Sequence, residues 1–544
     1  MWGRLREASS TYKRMSSRDY MHVVDPKENS ALLQNDMGQE TTNPSWKHSL
    51  PHVLVATIFP FLFGYHLGVV NEPLESISFD LGFSGNTLAE GLVVSTCLGG
   101  ALIGSLLSGW IADGIGRRRA FQLCALPMII GASVSAITNN LEGMLLGRLL
   151  VGAGMGIGPT VAALYVTEVS PAFVRGTYGS FIQIATCLGL MAAFFIGIPV
   201  KSIVGWWRMC FWVSTIPAAI LALAMSFCAE SPHWLYKQGR SAEAEVEFEK
   251  LIGGWYVKSA MAELYKSDRG DDADTVKLSE LFYGRHFRGK YDIFLVYFLS
   301  FVSSVFLYFA VTGHIYCQSA ASSSPPCPFS LPNIFCYSLI PFAVVFIGST
   351  LFALQQLSGI NAVFYFSSTV FKSAGVSSEL ANVFVGLANL AGSVTAMLLM
   401  DKVGRRMLLL WSFFGMAVSM VLQVTAASSY VLHPGALYLS VGGMLLFVLT
   451  FALGAGPVPG LLLPEIFPNR IRAKAMAVCM SVHWVLNFFV GLLFLRLLQQ
   501  LGPMPLYSFF ATFCLMAVVF VKRNVIETKG KSLQEIEIAL LPQE

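Results

Sequence analysis

Gly109-Trp110-Ile111-Ala112-Asp113-Gly114-Ile115-Gly116-Arg117-Arg118 and Asp401-Lys402-Val403-Gly404-Arg405-Arg406 share one pattern, an aspartate, two residues, then Gly-Arg-Arg. Each copy is wedged between long apolar stretches. Clustered arginines at the ends of apolar stretches stay on the cytoplasmic or stromal side of a membrane, so an even number of crossings must separate the two turns. Working outward, stretches long enough to cross a bilayer fall at 51–73, 88–112, 120–138, 142–167, 177–199 and 205–227, then at 344–371, 378–400, 407–428, 435–463, 473–500 and 503–522. A helix needs about 20 residues to cross the hydrocarbon core, and lipid offers no partner for free backbone amides. The chain therefore reads as an all-α polytopic membrane protein with six spans in each half.

Composition agrees with that reading. Of the 544 residues, 55% are hydrophobic and 12% charged, about half the charge of a soluble chain. The net charge of +4 is segregated into the ends, the short turns and residues 229–290. Of ten cysteines, Cys97, Cys124, Cys187, Cys210, Cys228, Cys479 and Cys514 lie in apolar stretches without metal-like spacing and read as packing residues. No nucleophile–base constellation or phosphate loop is present, so no enzyme activity, cofactor or metal ion is expected. The glycines of Gly152-Ala153-Gly154-Met155-Gly156 lie inside an apolar span and are expected to line a helix contact.

A second repeat supports two related halves. Glu168-x2-Pro171-x3-Arg175 follows the fourth span, and Glu465-x2-Pro468-x3-Arg472 follows the tenth. The expected organisation is a polar tail (1–50), a six-helix bundle (51–228), a charged helical linker (229–290), an apolar insert (291–343), a second six-helix bundle (344–523) and a C-terminal tail (524–544). Two such bundles with a site at their interface form a transporter architecture.

The paired turns, with Ala229-Glu230-Ser231-Pro232-His233-Trp234, Gln355-Gln356-Leu357-Ser358-Gly359-Ile360-Asn361 and Glu527-Thr528-Lys529-Gly530, resemble the sugar-porter branch of the major facilitator superfamily. Gly64-Tyr65-His66-Leu67-Gly68 and Gly454-Ala455-Gly456-Pro457 are most similar to the plant plastidic glucose transporters. The resemblance implies a major facilitator fold that carries a hexose, glucose first, by alternating access. The lipid bilayer and a small sugar are then the partners, and nucleic acid is not.

A hexose presents hydroxyls that donate and accept, which suits neutral amides. On an unbroken helix Asn361 would point about 120–140° away from Gln355 and Gln356, so one binding surface needs a break, which Gly359 can supply. On spacing alone these amides either bind a ligand or tie helices together; the resemblance implies sugar contact. It extends to Gln183, Asn389, Trp484 and Asn487, with Tyr365 one turn beyond Asn361 as a gate. The charges Asp113, Arg117, Glu168 and Arg175, and Asp401, Arg405, Glu465 and Arg472, lie at membrane ends. They read either as anchors or as pairs that link the halves on one face; the resemblance favours gating, with Glu168/Arg175 and Glu465/Arg472 as the pairs.

Two departures bear on mechanism. Proton-coupled members have an aspartate where this chain has His66, and many members have a tryptophan where it has Gly460. Without the carboxylate, facilitated uniport is favoured. His66 can itself titrate, so proton-coupled symport is the alternative, and a non-transporting sugar sensor is the rival of another class.

Glu280-Leu281-Phe282 and Arg285-His286-x-Arg288 lead directly into the seventh span in the family, yet here 55 residues separate Arg288 from Val344. The abrupt join suggests a variant transcript with retained intervening sequence, and a single added crossing would invert every later helix. Cys317, Cys327 and Cys336 in the insert would pair only in an oxidising lumen. Glu28, Leu32 and Leu33 form an acidic-dileucine pattern for a sorting adaptor. The resemblance points to the plastid envelope; acidic residues in the tail argue against a transit peptide and keep Golgi or vacuolar membranes as alternatives.

Overall fold

The computed structural model describes residues 46–171, 174–271, 339–373, 375, 377–428, 435–467 and 472–529. The tail motif at Glu28, Leu32 and Leu33 and the three insert cysteines lie outside these residues, as do the side chains of Asp401 and Arg472. Every regular element among the described residues is helical.

Among the described residues twelve helices are long and apolar enough to cross a membrane: Trp46–Gly68, Thr87–Ile115, Arg117–Ile137, Leu141–Val169, Arg175–Val200, Trp207–Phe227, Val344–Lys372, Glu379–Met400, Arg405–Ala426, Gly435–Leu463, Ala475–Leu501 and Pro503–Asn524. These are the first to twelfth spans below. Leucine, isoleucine and tryptophan face outward on many of them, as at Leu106 and Trp110, where lipid takes the place of a protein core. Short helices Pro232–Lys237 and Ser241–Ile252 follow the sixth span, and Gly254–Asp271 succeeds them. The helix that carries the seventh span begins at Leu339, inside the region expected as insert.

Small residues set the tightest contacts. A Cβ placed on Gly152 would sit 1.8 Å from the carbonyl oxygen of Cys97, and one on Gly156 would sit 2.0 Å from that of Ala101. The fourth span therefore lies backbone to backbone against the second, as its glycine run predicts. The halves meet where the second span packs on the eleventh and the fifth on the eighth. The seven described cysteines are buried thiols.

The sequence repeat has a structural counterpart. Glu230 accepts from the backbone N–H groups of Arg117 (2.9 Å) and Arg118 (3.2 Å), and Glu527 does the same for Arg405 (2.9 Å) and Arg406 (3.0 Å). Each carboxylate thus caps the helix that starts after its Gly-Arg-Arg turn, satisfying donors that the helix cannot.

Two spans of the second half are broken by a turn. The seventh ends one helix at Leu357 and starts another at Ile360, with Gly359 between them at φ +87°. The tenth ends one helix at Leu453 and restarts at Pro457. The seventh is also the most enclosed, with 89% of its central window buried against 33% for the tenth and eleventh. Gln355, in the last turn before the first break, reaches the second break at Ala455.

Candidate functional site

Ala455, in the break of the tenth span, has both backbone groups free of helix. Its N–H donates to Ser412 Oγ at 2.8 Å and its carbonyl accepts from Gln355 Nε2 at 2.5 Å. Gln356 Nε2 lies 3.4 Å from Gln355 Oε1 and 3.0 Å from His483 Nδ1. Asn361 Nδ2 donates to Gln356 Oε1 at 2.5 Å. The break at Gly359 has brought Asn361 onto the face of the two glutamines, which an unbroken helix would forbid.

The remaining sequence-predicted residues fall into two groups. Tyr365 donates to Asn487 Oδ1 at 3.2 Å, tying the seventh span to the eleventh. Trp484 is fully buried with its indole N–H unpartnered by protein, and Phe63 of the first span meets its ring edge-on at 6.0 Å. Across the seam between halves, Gln183 reaches Cys187 Sγ at 3.8 Å and Asn389 Nδ2 reaches the same sulfur at 3.4 Å. Asn389 Oδ1 is buried without a protein partner. Hydrogen-bonding groups buried without a partner are costly, so the indole N–H and this amide oxygen mark positions suited to a polar ligand. Gly460 is exposed, with nothing near the position of a side chain.

His66 is buried with neither ring nitrogen hydrogen-bonded to protein. The guanidinium of buried Arg148 donates to Val93 O at 3.2 Å and reaches the backbone oxygen of His66 at 3.5 Å. The first span thus offers no carboxylate at this position, and a fixed cation lies beside it.

In the first half the membrane-end charges pair otherwise than expected; the expected Glu465–Arg472 pair lies outside the described side chains. Glu168 does not pair with Arg175, which is exposed; it takes a bidentate contact from Arg117, at 2.8 and 3.0 Å. Arg117 also reaches Asp113 at 3.3 Å. In the second half Arg405 lies 3.2 Å from Glu465, whose other oxygen accepts from Thr528 at 2.6 Å. Each pair stays within one half, because a guanidinium just after the Gly-Arg-Arg turn is aimed at the neighbouring span of its own bundle.

Polar contacts that join the halves gather instead on the opposite face. Asn71 donates to Phe364 O (2.8 Å) and Ser367 Oγ (2.7 Å) and accepts from the N–H of Ser368 (3.0 Å). Glu72 accepts from Asn382 at 3.0 Å and from the Ser368 hydroxyl. Lys201 bridges Glu72 (2.8 Å) and Glu379 (2.7 Å), and Lys372 pairs with Glu75 at 2.5 Å. Sequence reading passed over this cluster and His483, because single charges at span ends read as solvated and a histidine beside a tryptophan reads as packing.

Twelve spans among the described residues, two helix breaks linked through Gln355 and a buried row of amides describe a solute path, and the profile of the family described as "Sugar (and other) transporter" matches residues 52–313 and 333–540. The chain belongs to that family. It is therefore a transporter of the major facilitator superfamily rather than an enzyme. Among relatives, it is 69% identical to "Probable plastidic glucose transporter 2" of Arabidopsis thaliana, covering 99% of each chain. It is 41% identical to "Plastidic glucose transporter 4" of the same plant, over 90% of this chain and 80% of that one. Among solved structures, the proton:xylose symporter XylE of E. coli, bound to 6-bromo-6-deoxy-D-glucose, superposes with a TM-score of 0.71 at 26% identity, covering 91% of this chain and 99% of that one. In this sugar-transporter chain the family match leaves out residues 314–332, within the region expected as insert.

Proposed function

We propose that the chain carries glucose across a membrane by alternating access, as a facilitated uniporter. The observation that carries this reading is the buried amide row Gln355–Gln356–Asn361 that joins the two helix breaks, together with the buried Trp484 indole N–H and Asn389 amide oxygen that lack protein partners. Gln183, Gln355, Gln356, Asn361, Asn389, Trp484 and Asn487 contact the sugar, and Tyr365 gates it. A few neutral hydrogen bonds are sufficient: millimolar dissociation corresponds to only about 4 kcal/mol. The names of the plastidic relatives support glucose and the plastid envelope.

Uniport is supported by the first span, where His66 meets Arg148 and has no carboxylate partner. Asp113, Arg117, Glu168 and Arg175, with Asp401, Arg405, Glu465 and Arg472, regulate the face of the Gly-Arg-Arg turns by exchanging partners as it closes. Glu28, Leu32 and Leu33 would serve a sorting adaptor.

The test is uptake of labelled glucose into proteoliposomes, with and without an imposed proton gradient, for the full chain and for a version lacking 289–343. Saturable uptake indifferent to the gradient is expected. Gradient-driven accumulation would replace uniport by symport through His66. If neither version transports while both insert, a sugar sensor becomes the better reading.

A further inference from the structure

The hydrogen bonds of the amide row have a fixed direction, set at one end by a backbone carbonyl. The Ala455 oxygen can only accept, so Gln355 must turn Nε2 toward it and leave Oε1 for its neighbour. Gln355 Oε1 can also only accept, so Gln356 presents Nε2 to it, and Gln356 Oε1 is left to accept from Asn361. Gln356 Nε2 then has one hydrogen remaining, and it faces His483 Nδ1 at 3.0 Å. Two donors cannot share that contact. Nδ1 must carry a lone pair and the ring its proton on Nε2.

We propose that His483 is a titratable positioning residue: its unprotonated Nδ1 holds the row in the orientation that presents Asn361 to substrate, and protonation releases it. An imidazolium would set N–H against N–H at Gln356. Rotating the Gln356 amide would relieve that contact, but would then set its Oε1 against Gln355 Oε1, which Ala455 holds in place, and Asn361 would have to turn its own oxygen inward. Either way one neutral hydrogen bond of the row is lost.

His483 is half-buried, between the edge of Phe352 at 5.3 Å and Trp484 at 5.0 Å, with Gln356 as its polar neighbour. Among the described residues no carboxylate, ammonium or guanidinium acts on it. His66 and Arg148 belong to the other half and contact one another's element. The inference rests on the sugar-site reading above and adds a pH dependence of affinity that requires no proton gradient.

The experiment is equilibrium glucose binding to the purified full chain in lipid nanodiscs, from about pH 8 to about pH 3.5, a range wide enough for an imidazole enclosed by apolar rings. Loss of one neutral hydrogen bond predicts a Kd weaker by about fivefold at the acid end. His483→Gln, which offers an acceptor at every pH, should keep its own pH 8 affinity throughout, while His66→Gln should keep the wild-type slope. His483→Asn replaces the glutamine variant if that one is not monodisperse. A flat wild-type profile, parallel profiles for wild type and His483→Gln, or a slope abolished by His66→Gln would each overturn the proposal and leave hexose binding intact. Absence of glucose binding at any pH would overturn the sugar-site reading itself.

Discussion

Lys201 Nζ lies 2.7 Å from Glu379 Oε1, an ion pair that crosses from one six-helix half to the other on the face opposite the Gly-Arg-Arg turns. The same ammonium holds Glu72 of its own half at 2.8 Å. This clamp closes one end of the path while the ion pairs at the other end, Arg117–Glu168 and Arg405–Glu465, stay inside their own halves.

Lys201→Met should therefore shift the population toward opening at the clamped face. A partly exposed ion pair contributes about 1 kcal/mol at most, so the shift expected is up to about fivefold. Pulsed electron–electron resonance between spin labels at Ser202 and Leu380 would read it as a longer-distance component. An unchanged distribution would remove Lys201 from the gate.

The clamp should also be insensitive to moderate alkalinity. Burial pulls the Lys201 ammonium down, but its hydrogen bonds to Glu379 and Glu72 outweigh that and hold it above its ordinary value. A raised value means that its contribution is complete below the ordinary lysine range, about 10.4, and fades only as pH rises through the raised value. The same distance measurement should not change between about pH 7 and about pH 9.

Gly359→Ala should abolish or greatly slow uptake with little loss of insertion. Its φ of +87° is one that alanine adopts at a cost of about 1–2 kcal/mol, and the new Cβ would fall 2.6 Å from the Phe510 ring. Straightening the span would swing Asn361 away from Gln356. Glucose binding and chromatographic monodispersity, measured together, separate this from misfolding.

The break at Gly359 was legible in the sequence because amide phasing demanded it: three polar groups on one site cannot lie on both sides of a helix. The spans were legible for a comparable reason, since a bilayer fixes both length and polarity. The partner of Glu168 was not. Arg117 and Arg175 are equivalent by charge, and only the packing of the fourth span against the third decides between them. The caps at Glu230 and Glu527 appeared only as parts of motifs that carry the resemblance until their hydrogen bonds to the paired turns gave them a task. Lys201, Glu72 and Glu379 stand far apart in the chain, and no local pattern signals that they meet.

Gly460→Trp should be accommodated and should strengthen sugar binding. Nothing lies within 4 Å of the position a Cβ would take, and an aromatic wall beside a sugar adds apolar contact worth roughly 1 kcal/mol. A Kd lower by about fivefold is expected in the nanodisc assay; no change would place Gly460 outside the cavity wall.

Trp484→Phe should preserve the fold at a modest cost in stability, because phenyl fills most of the buried space of the indole and the lost indole N–H has no protein partner. If that N–H serves the sugar, affinity falls by about fivefold, the equivalent of one neutral hydrogen bond. Thermal unfolding without sugar should move little, and the stabilisation conferred by glucose should shrink.

The one-sided clamp has a kinetic corollary. An empty carrier must part Lys201 from Glu379 before it can present its site to the opposite compartment, whereas a loaded carrier can offset that cost with contacts to its cargo. Exchange of labelled for unlabelled sugar would then outrun net flux, and the return of the empty protein would set the pace of transport.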